Sequence, residues 1–191
     1  MKKLLFTIAL VAFAFTACNQ KNNNTETPQT EVSAKQEETQ EIKKDNTTFA
    51  TRALEQDFID LEGNTITLEQ ILAKYKGKAI LIDIWAAWCP DCIKAIPALK
   101  EIKAEYTETV FVNLSLDKTE QAWKEAIEKY GIDGEQYFST EGKGMKGDFG
   151  KSLDLNWIPR YIVVDKESKI ALYNATEKSF DEIKETLKKI Q

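Results

Sequence analysis

Cys89 and Cys92, in the run Trp88-Cys89-Pro90-Asp91-Cys92, are the residues of this chain whose type and spacing bear most directly on chemistry. No other cysteine lies beyond residue 18. An apolar run, Ala79-Ile80-Leu81-Ile82-Asp83-Ile84-Trp85, leads into the pair, and a helical pattern leads away from it. Two thiols on the first turn of a helix can close a disulfide without moving the backbone. The positive end of the helix dipole favours a thiolate on the first of them. The pattern therefore points to dithiol–disulfide exchange. The alternatives are two inert buried cysteines or half of a zinc site. A zinc site would have to be completed by two carboxylates, because the chain has no histidine. The same absence removes c-type haem attachment, where position 93 is Ile instead of His, and cysteine–histidine proteolysis. The segment Gly144-Met145-Lys146-Gly147-Asp148-Phe149-Gly150-Lys151-Ser152 has a phosphate-loop flavour, but Met145 stands where the first glycine belongs, so its spacing fails.

The elements that must hold the cysteines are legible in the apolar spacing. Ala79–Trp85 is apolar on both faces, as expected of a central strand covered by helices on each side. Within it Asp83 is a carboxylate at a position where an unpaired charge is expensive, and burial should raise its pKa. After the cysteines, Ile93, Ile96, Leu99 and Ile102 fall along one side of a helix reaching about Tyr106, with Pro97 inside it. Pro97 has no N–H for the Ile93 carbonyl, so a kink is expected.

Upstream, Phe58–Leu61 and Thr65–Thr67 flank Glu62-Gly63-Asn64 as an N-terminal hairpin. Thr67 with Gln70 then opens a short helix through a capping box, and Gly77 ends it. Downstream, Val110–Leu116 reads as a second buried strand. Asp117 or Thr119 caps a helix with the apolar face Ala122, Trp123, Ala126, Ile127 and Tyr130. Arg160–Asp165 and Ile170–Tyr173 form a hairpin, and a last helix starts at Ser179, capped with Glu182, burying Phe180, Ile183, Leu187 and Ile190. The order β-α-β-α-β-β-α behind a hairpin indicates an α/β fold, a central mixed sheet flanked by helices.

Between Gly131 and Gly150 stand six of the chain's eight glycines, together with Tyr137, Phe138, Met145 and Phe149. This inserted segment, with a short strand near 136–139 and a short helix near 146–153, is either a substrate-contacting surface or a Gly-rich connection carrying core aromatics.

The N-terminus is set apart from the fold. Met1-Lys2-Lys3 is a basic head, and Leu4–Ala17 is an apolar run too short to span a bilayer comfortably. The run stops at Phe15-Thr16-Ala17-Cys18, which resembles a lipoprotein signal-peptide site, with Phe15 where that pattern usually has Leu. That resemblance implies an acylated Cys18 as first mature residue and a membrane held by lipid. The alternative is an ordinary secretory signal, and either leads to export, where disulfides persist. Residues 19–48, rich in Asn, Thr, Gln, Glu and Lys, are expected to be a disordered polar tether, leaving residues 49–191 as one domain. The net charge of −5 argues against nucleic acid as a partner.

In combination these motifs identify a family. Ile82–Cys92, with Pro97 five residues past the second cysteine, resembles the redox centre of the thioredoxin superfamily. Trp157-Ile158-Pro159-Arg160-Tyr161-Ile162-Val163-Val164-Asp165 resembles its cis-proline segment. The hairpin, the insertion before the cis-proline strand and the leader narrow the resemblance to the membrane-anchored TlpA-like or ResA-like branch. The resemblance implies a thioredoxin-like fold, a monomer needing no cofactor, and a thiol–disulfide oxidoreductase of the cell envelope. In that setting Cys89 attacks, exposed at the helix edge, and the more shielded Cys92 resolves. Asp83 accepts the proton of the resolving thiol. Trp88, Pro90, Asp91, Ile158 and a cis Pro159 line the substrate groove.

Asp91 stands where proline is common, and its charge opposes a neighbouring thiolate, favouring a reducing pair. Asn113 replaces the lysine that usually accompanies the buried acid. Trp85 is expected in the core and Trp88 on the surface, while Trp157 fits either place. The partners implied are exported cysteine-containing proteins and a membrane thiol reductase as electron donor. A reductant of apocytochrome c thiols, or a non-catalytic adaptor of the same fold, are the competing readings.

Overall fold

A computed structural model describes residues 46–191. The leader, Cys18 and nearly all of the tether lie outside the described residues.

The described chain opens with one helical turn, α1 (Thr51–Leu54), followed by strands β1 (Asp57–Ile59) and β2 (Thr65–Thr67) and helix α2 (Leu68–Lys74). The two strands pair antiparallel as the hairpin pattern predicts, with Phe58 opposite Ile66. Gly63, at φ +87°, supplies the left-handed turn residue. The Thr67–Gln70 capping box forms in both directions: Thr67 Oγ1 accepts from the Gln70 N–H, and Gln70 Oε1 accepts from the Thr67 N–H. The turn α1 has no counterpart in the sequence reading. Its N-cap is Ala50, which offers no side-chain acceptor, so nothing local announces it; the turn forms because Ala53 is fully buried.

Strand β3 (Ile80–Trp85) is buried along its whole length and leads to α3 (Pro90–Glu105), β4 (Val110–Ser115), α4 (Glu120–Tyr130) and β5 (Glu135–Ser139). Then come a 3₁₀ turn at Gly144–Lys146, α5 (Asp148–Ser152), β6 (Arg160–Val164), β7 (Ile170–Ala175) and α6 (Phe180–Ile190). The sheet runs β2-β1-β5-β4-β3-β6-β7. β3 is parallel to β4 and β4 to β5, whereas β6 lies antiparallel to β3, so the sheet is mixed as expected.

Alternation along the strands divides the core between two faces. Ile80, Ile82 and Ile84 of β3 join the cluster that holds Leu68, Ile71, Leu72 and Trp123 from α2 and α4. Leu81 joins Phe111, Tyr161 and Val163 in the cluster covered by α3 and α6 through Ile102, Ile183 and Leu187. Asp83 has the parity of Leu81, which aims it at the α3 side.

Two expectations are corrected in detail. In α3 the fully buried residues are Cys92, Ala95 and Ile102, whereas Ile93 and Ile96 are only half-buried. The buried stripe is turned toward Cys92 because that residue is held to Cys89. At α6, Ser179 occupies the N-cap without a capping hydrogen bond; its φ of −107° and ψ of 19° are not the extended geometry a cap requires. Its Oγ accepts instead from the Thr176 N–H.

The Gly131–Gly150 segment is no external appendage. Its strand β5 lies inside the sheet between β4 and β1, and Tyr137, Phe138 and Phe149 are buried. Phe149 meets Phe58 edge to face at 5.1 Å, and Phe138 stacks on Trp123 at 5.7 Å. The aromatics serve the core, which favours the connection reading.

Gly134, which turns the chain into β5, has φ +109°, and a Cβ there would sit 2.7 Å from the Phe111 carbonyl oxygen. Gly134→Ala should therefore destabilise the fold by about 2–3 kcal/mol in urea or thermal unfolding, combining left-handed strain with a backbone clash. A change within a few tenths of wild type would mean that the β4–β5 connection is not held this closely.

Candidate redox site

The loop between β3 and α3 is fixed before the cysteines enter it. The Cys89 N–H donates to the Ala86 carbonyl at 3.0 Å. The Ala87 N–H donates to both carboxylate oxygens of Asp117, at 3.0 and 3.1 Å, and Ser115 Oγ donates to the same carboxylate at 2.8 Å. Asp117 thus does not cap α4; Thr119 does, accepting from the Ala122 N–H. The buried Asp117 carboxyl is pushed above its ordinary range by desolvation, against which the Ala87 and Ser115 bonds pull down. Parallel pairing of β3 with β4, which sets Trp85 opposite Ser115, is what brings Asp117 under the loop.

Cys89 is the N-cap of α3 and Pro90 its first residue, where a missing N–H leaves nothing unpaired. The Cys92 N–H donates to Cys89 Sγ at 3.1 Å, so sulfur takes the place an Asn, Asp or Ser oxygen usually fills. The two cysteines are joined as a disulfide with their Cα atoms 5.3 Å apart. From the other side, the Ile158–Pro159 peptide is cis, and the Ile158 carbonyl oxygen lies 3.5 Å from Cys89 Sγ. Since a disulfide sulfur carries no proton, this is a close contact and not a donated bond.

The expected contrast in exposure is absent: Cys89 and Cys92 are each 4 % exposed. With the disulfide closed, the Ile158–Pro159 peptide covers Cys89 Sγ. Trp88 and Pro90 remain exposed beside it. Asp91 is partly exposed and pairs with Lys94 at 3.5 Å.

Asp83 lies beneath Cys92, both lining a cavity of about 30 Å³ with Ile96, Leu99 and Phe111. That volume accommodates one water. Burial alone pushes the Asp83 carboxyl up to about 8. Among the described residues its Oδ1 has no hydrogen-bond partner. Asn113 faces Asp83 in register on β4, yet its Nδ2 donates to the carbonyls of Asp133 and Glu135 at 3.1 and 3.2 Å. The residue in the usual lysine's place therefore braces the turn into β5.

Sequence reading missed two further polar residues. Asp117 was visible only as a possible cap, and Arg160 carried no signal. Arg160 is 3 % exposed and directly follows the cis proline; its Nη2 donates to Asn156 Oδ1 at 3.4 Å, tying β6 to the loop that precedes Pro159.

A disulfide at a helix N-cap, a buried acid below it and a cis proline facing it, on a mixed sheet flanked by helices, define a thioredoxin-like thiol–disulfide exchanger. Comparison with known proteins agrees. Residues 43–187 match the Redoxin family model, and the chain belongs to that family. It is 29 % identical over 133 residues to the thiol-disulfide oxidoreductase ResA of Bacillus thuringiensis subsp. konkukian, covering 69 % of this chain and 72 % of that protein. The crystal structure of the thioredoxin domain of a thiol-disulfide oxidoreductase from Bacteroides vulgatus superposes with a TM-score of 0.59 at 28 % identity, covering 71 % of this chain and 92 % of that one. The dsbF structure from MTB, 23 % identical with a TM-score of 0.58 over 73 % of this chain and 98 % of its own, shares the fold. The activity class is accordingly thiol–disulfide oxidoreductase, of ResA type, with a Cys89–Cys92 disulfide. Among the described residues no helix is long and apolar enough to cross a membrane.

The burial of Asp83 has a stability consequence of definite sign. Its carboxyl titrates near 3.8 when unfolded and near 8 when folded. Between those values the folded chain holds a proton that the unfolded chain releases, so this group's contribution falls as pH rises through the window. Asp83→Asn removes the titration. It should gain stability over wild type progressively from about pH 4 to pH 8, reaching an advantage on the order of a few kcal/mol. Denaturation curves at pH 5 and pH 9 test this; an unchanged difference between them would mean that Asp83 is not a buried, unpaired acid.

Proposed function

We propose that the protein reduces disulfides in exported proteins through a Cys89–Cys92 dithiol cycle, with Cys89 attacking and Cys92 resolving. The observation that carries this reading is the capping contact. Of the two sulfurs, Cys89 Sγ is the one that receives a backbone N–H at the positive end of α3, so its thiolate is the favoured one. The Cys89 thiolate attacks one sulfur of a substrate disulfide, forms a mixed disulfide and expels the other substrate sulfur as thiolate. Cys92 then attacks Cys89 Sγ. Its thiol proton passes by way of the shared cavity to the Asp83 carboxylate, the intramolecular disulfide closes, and the second substrate thiolate leaves. Two electrons have moved from the dithiol to the substrate. A membrane thiol reductase restores the dithiol by the reverse exchange.

Reduction is favoured over oxidation because the carboxylates of Asp91 and Asp83, when ionised, both oppose thiolates and so destabilise the reduced pair. An envelope location with a lipid anchor at Cys18 is supported by the basic head and apolar leader in front of it.

Cys92→Ser, expressed in cells, should accumulate mixed disulfides on Cys89, visible on non-reducing gels and absent from a Cys89→Ser/Cys92→Ser control. Recovery no greater than the control would rule out the cycle. The acid makes a separate prediction. Because Asp83 must be ionised to take the proton, the resolving rate should climb with pH through about 8. Asp83→Asn should lose that limb and run about a hundredfold slower where wild-type Asp83 is ionised. Stopped-flow tryptophan fluorescence reads both, and an unaltered pH profile would remove Asp83 from the mechanism.

A further inference from the structure

Among the described residues three large apolar side chains are exposed, and two of them belong to the redox site: Trp88 at 50 % and Trp157 at 51 %. They come from opposite sides of it. Trp88 immediately precedes Cys89, and Trp157 immediately precedes Ile158, whose carbonyl oxygen stands 3.5 Å from Cys89 Sγ. That contact draws the two chain segments together, and each segment carries an exposed indole one residue before its contacting residue. An exposed indole gives up burial it could have had elsewhere. The other candidate core position in this loop, Leu155, is buried, so the loop does have an inside that Trp157 does not use.

Cys89 is itself only 4 % exposed. A rigid, convex protein surface cannot reach it, whereas an extended chain can be laid in beside it. Of the residues near the two indoles, Asp91 pairs with Lys94 at 3.5 Å, and Asn156, next to Trp157, is neutral. The flanks thus offer apolar area and little charge for a substrate to pair with.

Resting on the reductase reading, we propose that Trp157 is a specificity residue. With Trp88 it clamps an extended, unfolded cysteine-bearing segment that has a large apolar or aromatic side chain beside its disulfide cysteine. Aromatic anchors supply contact area at little entropic loss, since each indole has two side-chain torsions. The occupant is fixed by the chemistry of the site, because only a chain carrying a disulfide sulfur has reason to lie against Cys89.

The test uses the reduced full-length protein and a pair of disulfide-cyclised peptides that differ only beside one cysteine, Phe in one and Ser in the other. Wild type should favour the Phe peptide by about tenfold or more in kcat/KM, the preference lying mainly in KM. Trp157→Ser should bring the ratio of the two toward unity, and Trp157→Phe should restore most of it. A loss falling equally on both peptides, or a wild-type ratio near one, overturns the proposal. Hydroxyethyl disulfide, which has no side chain to clamp, separates the two levels: failure of wild type to reduce it overturns the reductase reading and the clamp with it. Its reduction together with an unselective peptide ratio overturns the clamp alone.

Discussion

The bond from the Cys92 N–H to Cys89 Sγ, at 3.1 Å, joins the redox chemistry to the fold. A helix leaves its first N–H groups without partners, and α3 satisfies one of them with the Cys89 sulfur. Pro90 removes another orphan by having no N–H. The start of α3, the direction of Cys92 and the separation of the two Cα atoms are therefore one constraint and not three. The loop before it is pinned with comparable thoroughness, because Ala87 and Cys89 both donate their backbone N–H groups, to Asp117 and Ala86 respectively. Sulfur can change its bonding here while the surrounding backbone stays in place, which is what repeated exchange at one site requires.

Two buried carboxyls near the site behave differently for a reason that the hydrogen bonds make plain. Desolvation raises both Asp117 and Asp83. Asp117 is surrounded by donors, accepting from Ala87 and Ser115, and so is committed to holding the loop. Asp83 has desolvation as its single cause and an oxygen with no partner among the described residues, facing the cavity that also reaches Cys92. An acid whose pKa is brought near neutrality, and one of whose oxygens has no partner, can exchange a proton. An acid tied by three donor contacts is a structural fixture.

Long-range apolar patterning was readable from the chain alone, because it reflects what each element buries. β3 is buried on both faces as its continuous apolar run requires, and the Thr67–Gln70 box forms because cap and partner lie within one turn. What eluded the sequence depended on contacts between distant segments. Asp117 is recognisable as a loop anchor only when the parallel pairing of β3 with β4 has set it beneath Ala87. Trp157 could be assigned to the surface only with the cis-proline loop in place, and Cys89 could be seen as covered only with Ile158 against it. At Ser179 the local pattern was present but the backbone angles were not those of a cap, since the Thr176–Ser179 turn took the hydroxyl. Local signals succeed where the competing interactions are also local.

The proposed direction of electron flow rests on what differs between the two oxidation states, not on what is merely present near the sulfur. A disulfide sulfur accepts the Cys92 N–H, as this structure shows, and so does a thiolate. The bond itself therefore largely cancels between the states, leaving the extra strength that a full negative charge lends it. Against that increment stand two carboxyls that matter only when a thiolate forms. Asp91 is partly exposed and its Lys94 partner more so, with side-chain exposures of 37 % and 77 %, so water screens both the repulsion and the pairing. Asp83 is buried and screened little, and above about pH 8 it would place a second negative charge on the same cavity as a Cys92 thiolate. The reduced pair is thereby made harder to ionise and readier to give up its electrons as the pH rises, which is the sense that a disulfide reductase needs.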